Sequence, residues 1–412
     1  MRSDRRLNYV DLFAGCGGLS EGLEQSGAFN LLAAVEWNKA ARDTFVERLK
    51  SRWGYGDAER RTLWYDIQKT DKLFSGWNEA PYGRSDGLNA VVGNKTKVHA
   101  VVGGPPCQAY SLAGRIRDEH GMSRDYRNYL FESYVRVVER LKPDFFIFEN
   151  VEGMLSARPG GIPIIKRVTE AFRSVGYAIS ADLRGEALFE LSEFGVPQRR
   201  RRVIIIGLSE HFGSEKHRRE IISDFYATKL FSQRKKHAAT VHQAIADLPG
   251  FRPLPGPHKA DSHVPLGVCK IVNHEPRYHN PRDIEIFKEL ASDVARGSKK
   301  YPDIESLHRL YTSRTGKSSS VHKYYVLRWN EPSNAIVAHL HKDGLRHIHP
   351  DYKQARSITV REAARLQTFE DNFVFKGGQG EQYKMIGNAV PPVFAKVLGE
   401  ALARFARSKS LI

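Results

Sequence analysis

Cysteine is scarce in this chain of 412 residues: only Cys16, Cys107 and Cys269 occur, far apart. So few thiols at such spacing exclude a disulfide framework and a tetrahedral zinc site. Long apolar runs are missing as well. None approaches the roughly 20 residues that a membrane-crossing helix needs, so no membrane partner is expected. No leading stretch has the charged, apolar and small-residue parts of a signal peptide, and together with the few thiols this predicts a reducing, cytoplasmic setting. Acidic residues are in deficit, 47 Asp and Glu against 64 Lys and Arg, for a formal charge of +17. Such a surplus on a globular composition points to a polyanion, most commonly nucleic acid.

The first half alternates short apolar runs with helical patterns. Strands are predicted at Leu7 to Phe13, Leu31 to Glu36, Val98 to Val102, Phe145 to Glu149, Tyr177 to Leu183 and Val203 to Leu208. Helices are predicted at Leu19 to Gln25, Asn38 to Lys50, Tyr129 to Leu141 and Ile164 to Val175. This is the signature of a doubly wound α/β fold with a mostly parallel sheet. Residues 70–97 show little periodicity and read as a long loop. From 209 to 355 the alternation stops, and this stretch carries 24 Lys and Arg against 16 Asp and Glu, with 14 of the 16 histidines. We read it as a second, irregular domain facing nucleic acid. Its pairs His339/His341 and His347/His349 lack the cysteines or carboxylates of a metal site, so polar or phosphate-facing roles are expected and no metal is. Beyond Arg356 helical patterns return at Val360 to Gln367 and along Phe394, Val397, Leu398, Ala401, Leu402 and Phe405. That apolar face should pack on the N-terminal sheet, so the first domain would be 1–208 plus 356–412, interrupted by 209–355.

Four strings carry chemistry. Gly103-Gly104-Pro105-Pro106-Cys107-Gln108 follows a buried strand and sets a thiol, the best nucleophile among ordinary side chains, in a stiff turn at a sheet edge. Asp11-Leu12-Phe13-Ala14-Gly15-Cys16-Gly17-Gly18 closes the first strand and opens the first helix, where glycines let a ligand approach the backbone. Glu36 ends the next strand, placed to accept from ribose hydroxyls, and the adjacent Trp37 can cover an adenine. Glu149-Asn150-Val151 ends an aromatic strand, bringing a carboxyl to the same edge as Cys107. In Gln198-Arg199-Arg200-Arg201-Arg202, strand alternation puts Arg200 and Arg202 on one face, both able to point into a cleft. Read singly, each has an ordinary alternative: a turn, a solvated strand end, a basic surface run.

In order along the chain, the Phe13 glycine loop, Glu36-Trp37, Asp66-Ile67, Pro105-Pro106-Cys107-Gln108, Glu149-Asn150-Val151, Gln198-x-Arg200-x-Arg202, Arg361-Glu362-x-x-x-Leu366-Gln367 and Gly387-Asn388-x-Val390-Pro391 resemble the DNA (cytosine-5) methyltransferase family. The resemblance runs from Tyr9 to about Phe405 except across 209–355. It implies the S-adenosylmethionine-dependent methyltransferase fold with an inserted target-recognition domain. It also implies S-adenosylmethionine as methyl donor, bound by Phe13, Gly15, Gly17, Glu36, Trp37, Asp66, Ile67, Pro106, Leu130 and Asn388. Cys107, Glu149, Arg200 and Arg202 would act on cytosine. Glu370 stands where many relatives have Pro.

On this reading the Cys107 thiolate adds to carbon 6 of a flipped cytosine, and carbon 5 then takes the methyl group. The expected partner is double-stranded DNA, met by a monomer near the nucleoid. A cognate restriction endonuclease would be a genetic rather than a physical partner, and a stand-alone modifier is the other setting. Cytosine methylation in RNA and a non-catalytic DNA-binding role are the competing readings.

Overall fold

The computed structural model describes residues 6–106, 130–256, 261–318, 324–342 and 344–408. In chain order the strands are β1 (Leu7–Leu12), β2 (Phe29–Glu36), β3 (Thr62–Trp64), the hairpin β4 (Trp77–Glu79) and β5 (Gly83–Ser85), then β6 (Ala100–Gly103) and β7 (Phe145–Val151). They continue as β8 (Tyr177–Ile179), β9 (Leu188–Glu190), β10 (Gln198–Arg199), β11 (Arg201–Ser209), β12 (Phe251–Pro253), β13 (His263–Pro265) and β14 (Ser333–Asn334). Two compact units result: residues 1–194 with 201–236 and 390–412, and residues 195–200 with 237–389. Compactness thus places the junctions at 236/237 and 389/390, where the sequence pattern places them at 208/209 and 355/356.

The first unit is built on a sheet of order β3-β2-β1-β6-β7-β11-β8, with β9 also pairing along β11. From β3 to β7 every pairing is parallel. The last long strand, β11, runs antiparallel to β7, β8 and β9, which makes the sheet mixed at that end. Burial explains the composition of the centre: Phe145, Phe146, Ile147 and Phe148 of β7 are all buried. Phe146 stacks on Phe172 of the helix Ile164–Ser174 at 3.9 Å between centroids. On the other side of Phe146, its register partner Gly207 leaves room that a Cβ, 2.0 Å from the ring, would take away.

The C-terminal helix, Pro392–Ser408, packs on the first helix, Gly18–Gln25, where a Cβ on Gly22 would sit 2.3 Å from the Pro392 carbonyl oxygen. It reaches the sheet through Phe394, which meets Phe189 of β9 and Phe194. Residues 70–97 are not the loop expected: they form the helix Thr70–Ser75, the β4–β5 hairpin and the helix Gly87–Val92. These elements are too short to show periodicity in sequence.

The second unit is less irregular than its composition implied. It holds the helices Pro281–Arg296 and Ile304–Thr315, both with Asn or Asp N-caps and glycine C-caps. These pack around Ile286, Phe287, Leu290, Tyr324 and Ile348. Of the polar or phosphate-facing roles expected for them, buried His347 and His349 have the polar one and do not face phosphate. His347 lies against the Ala335 carbonyl, and His349 accepts from the Asp351 amide.

Candidate active site

Parallel pairing from β3 to β7 sends the carboxyl ends of five strands to one edge. Because β1 has β2 on one side and β6 on the other, the strand order reverses there, and such a switch point is where open α/β sheets form their binding crevice. Phe13 follows β1, Trp37 follows β2, Asp66 lies just past β3, Pro106 just past β6, and Glu149 is near the end of β7. Antiparallel β11 begins at this same edge, bringing Arg202.

The loop after β1 is held in unusual backbone geometry. Phe13 has φ +57°, a left-handed conformation costly for a residue with a side chain, and Gly15 and Gly17 have φ +58° and +85°. A Cβ on Gly17 would fall 2.3 Å from the Phe45 ring, whereas beside Gly15 the space is open. The Gly15 amide donates to Glu36 Oε2 at 2.8 Å, and the Asn38 amide donates to Oε1 at 2.7 Å. Glu36 is therefore no solvated strand end: it is 6% exposed, and burial raises its pKa. Each of its oxygens keeps acceptor capacity beyond the amide it holds. Trp37, by contrast, is 61% exposed, its carbonyl taking the indole hydrogen of Trp64 at 2.8 Å. Asp66 accepts from the Gln68 amide at 3.0 Å, Ile67 is buried beside it, and buried Leu130 opens the helix Leu130–Leu141.

Sequence reasoning gives no role to one buried acid at this edge, Asp11. Burial, with a smaller contribution from Glu36, lifts its pKa to about 7, and Ser20 donates to its Oδ2 at 2.6 Å. The available signal is its place as the last acid before a strand end, which periodicity cannot distinguish from an exposed one.

Glu149 and Arg202 meet directly. Arg202 Nε lies 2.8 Å from Glu149 Oε1, with side-chain exposures of 14% and 13%. The backbone of Gly104 passes so close that a Cβ there would sit 2.5 Å from Glu149 Oε2. The glycine before the two prolines is thus what lets the Cys107 strand end run against the carboxylate. Cys107 itself lies outside the described residues.

Arg200 is placed differently. The strand pattern breaks between β10 and β11, so Arg200 and Arg202 do not share a strand face. Arg200 is 2% exposed in the second unit, donating to the carbonyls of Ile336, Gly387 and Ala389 at 2.7, 3.0 and 3.1 Å. The cleft-facing expectation for it is corrected: its guanidinium is engaged by backbone oxygens. Gln198 and Gln367 belong to the same network. Gln198 Nε2 donates to the Leu366 carbonyl and to Gln367 Oε1, and Gln367 Nε2 donates to the Ala389 carbonyl. Asn388, exposed, ends the helix Gln379–Asn388 in that second unit. Arg361 is likewise buried, donating to the carbonyls of Glu370 and Phe373. Since the bond to residue 370 is to its backbone oxygen, Glu serves there as well as Pro would.

Among the described residues no group of three or more His, Cys, Asp or Glu is placed to hold a metal ion, and no helix is long and apolar enough to cross a membrane.

Known proteins resemble this chain over nearly its whole length. A Bacillus paralicheniformis type II methyltransferase, M.Bpa9945I, is 31% identical, the alignment covering 95% of this chain and 98% of that one. M1.HphI of Haemophilus parahaemolyticus, another type II methyltransferase, is 30% identical over 97% and 87%. Among solved structures, a prophage-encoded putative DNA modification methyltransferase from E. coli shares the fold with a TM-score of 0.59 at 22% identity, covering 97% of this chain and 99% of that one. S. pombe Dnmt2 does so at 0.53 and 13%, covering 98% and 99%. The C-5 cytosine-specific DNA methylase family model matches residues 7–404, and the chain belongs to that family, a DNA (cytosine-5-)-methyltransferase whose family methyl donor is S-adenosylmethionine.

Proposed function

We propose that this methyltransferase modifies a cytosine flipped out of double-stranded DNA, through a covalent bond from Cys107 to carbon 6 of the base. The observation that carries the reading is the Glu149–Arg202 pair at 2.8 Å, lying against the Gly104 backbone that leads to Cys107. A carboxyl and a guanidinium side by side match the pyrimidine edge, where ring N3 adjoins O2. Arg202 would donate to O2, and a proton shared between Glu149 and N3 would offset the charge that develops as the thiolate adds. Addition breaks the aromatic ring and makes carbon 5 nucleophilic. After methylation, loss of the carbon 5 proton and departure of the Cys107 thiolate restore the ring and the free enzyme. Within the duplex the stacked base is out of reach, so flipping, at a cost of about a few kcal/mol, comes first.

The donor supplies a methyl group on a sulfonium, electrophilic without a metal. The residues at the edge fit it: Glu36 would accept from the ribose hydroxyls, Trp37 would cover the adenine, Asp66 and Ile67 would flank it, and the open space beside Gly15 would admit the donor near the backbone, with Phe13, Gly17, Pro106 and Leu130 as further holders and Asn388 assigned to the donor by the family resemblance. Arg200 acts as a positioning residue for the Gly387–Ala389 backbone. The basic stretch 209–355 recognises the target, its surplus of cations balancing phosphate charge. The enzyme works as a monomer, paired genetically with a restriction endonuclease or standing alone.

Duplex DNA carrying 5-fluorocytosine tests the covalent step, since fluorine cannot leave as a proton does. With S-adenosylmethionine the wild-type protein should form a stable adduct, seen as a mass shift, and Cys107→Ser should form none. A wild type that transfers methyl groups yet gives no adduct refutes the mechanism.

A further inference from the structure

The β4–β5 hairpin takes no part in the methyl-transfer chemistry, yet it is built with more aromatic and ionic contact than its length requires. Its base is pinned by two glycines: a Cβ on Gly76 would lie 2.7 Å from the Ser85 carbonyl oxygen, and one on Gly87 would lie 2.4 Å from the Gly76 nitrogen. Both adopt left-handed φ, +102° and +79°. From this fixed base Trp77 stacks on Tyr65 at 3.9 Å with an 18° interplanar angle, and Tyr82 meets Trp64 edge-on at 5.3 Å and Tyr65 at 5.1 Å. Glu79 accepts from the Tyr65 hydroxyl at 3.1 Å and pairs with Lys69 and Lys72, both at 2.5 Å. Lys69 in turn stands 5.8 Å from the ring centres of both Tyr65 and Tyr82.

Those contacts converge on Trp64 and Tyr65, the two residues before Asp66. Trp64 also donates to the Trp37 carbonyl at 2.8 Å. The hairpin is therefore connected to Trp37 through Trp64 and to Asp66 through Tyr65, the two sides of the adenine pocket. Such support is needed, because β3 is only three residues long and, among the described residues, stands at the sheet edge with β2 as its one partner. A short edge strand has few ladder bonds with which to fix the residues after it.

We propose that the β4–β5 hairpin is a positioning element for the methyl donor, with Tyr82 and Glu79 holding Trp64 and Tyr65 so that Trp37 and Asp66 stand ready for the adenosine. This rests on the assignment of Trp37 and Asp66 to the donor pocket. Preorganisation lowers the cost of ordering the pocket on binding, so its loss appears as weaker donor affinity rather than slower chemistry.

The test uses the full chain and calorimetric binding of S-adenosylhomocysteine, beside steady-state kinetics. Tyr82→Ala should weaken binding about tenfold, equivalent to about 1.4 kcal/mol, and raise KM for S-adenosylmethionine in step, while kcat and KM for duplex DNA stay within about twofold of wild type. Tyr82→Phe, which keeps the ring, should restore binding, and the milder Glu79→Gln should weaken it less than Tyr82→Ala. Two results overturn the proposal: Tyr82→Ala and Glu79→Gln binding like wild type, or kcat and DNA KM deteriorating together with donor affinity, which marks a hairpin that only supports the fold. Trp37→Ala and Asp66→Ala separate this from the pocket assignment itself. If neither changes S-adenosylhomocysteine binding, the assignment fails; if both do and the hairpin variants do not, only the brace fails.

Discussion

Arg202 and Glu149 form an ion pair at 2.8 Å across two antiparallel strands, although their register partners are Val151 and Ile204. The diagonal reach joins two charged candidates at the edge of the sheet where the strand ends converge. Glu149→Gln should lower kcat by about two to four orders of magnitude, the usual range for losing a positioned acid or base. Single-turnover methyl transfer at saturating donor and DNA checks this. Wild-type turnover in Glu149→Gln would remove the carboxyl from the mechanism.

Arg200 and Arg202 stand two residues apart and should behave in opposite ways. Arg200→Ala strands the buried carbonyl oxygens of Ile336 and Gly387, while that of Ala389 keeps Gln367, and at about 1–3 kcal/mol for each unsatisfied group the variant should melt well below wild type. Arg202→Ala should keep the wild-type melting temperature and lose turnover. Thermal melts and methyl transfer on both proteins separate the two roles.

Gly104→Ala adds one methyl group in contact with the Glu149 carboxylate, 2.5 Å from Oε2 before any adjustment. The carboxylate must move, and a displacement of about 1 Å at a reacting group can cost about 100-fold in rate. The expected outcome is a folded protein with strongly reduced kcat and little change in DNA affinity, measured by gel shift.

Gly17→Ala should destabilise the first unit. The position needs φ +85° and faces the Phe45 ring, so the substitution costs about 1–3 kcal/mol in backbone strain before the clash is counted. Denaturant melts with and without S-adenosylhomocysteine report both the lost stability and the distorted loop.

Acid should open the second unit first. Burial, aided by the nearby Arg356 for His263, His279 and His349, holds His263, His347 and His349 down to about 4 and His279 to about 3. The folded state thus binds fewer protons than the unfolded one. The stability these groups confer is whole above about pH 6.5 and is lost as pH falls toward about 4. In the first unit the sign is reversed, for burial lifts Asp11 and Glu24 to about 7, so their contribution falls as pH rises toward neutrality. Hydrogen exchange at neutral pH and near about pH 5 should show protection lost in residues 237–389 ahead of the sheet. Equal loss in both units would contradict it.

The order of strands and helices in the first half is legible from periodicity, because β1, β2, β6, β7 and β11 are apolar runs long enough to pattern. So is the identity of the residues at their carboxyl ends: Phe13, Glu36 and Glu149 each follow or close such a run, and parallel pairing does the rest. Nothing local in the sequence distinguishes Arg200 from Arg202, or a solvated Glu36 from one tied to two amides. Nor does any local pattern reveal the hairpin between Trp77 and Ser85, whose strands are three residues each.

The sequence by itself determined which chemical groups are present and in what order, since the thiol, carboxyl, guanidinium and glycine loop are covalent facts. Tertiary structure decided which of them meet. An ion pair at 2.8 Å, a glycine that must lack a Cβ, and an arginine bound to three carbonyls depend on atoms distant in the chain. Those distances are set by sheet order and strand direction, which no run of neighbouring residues encodes.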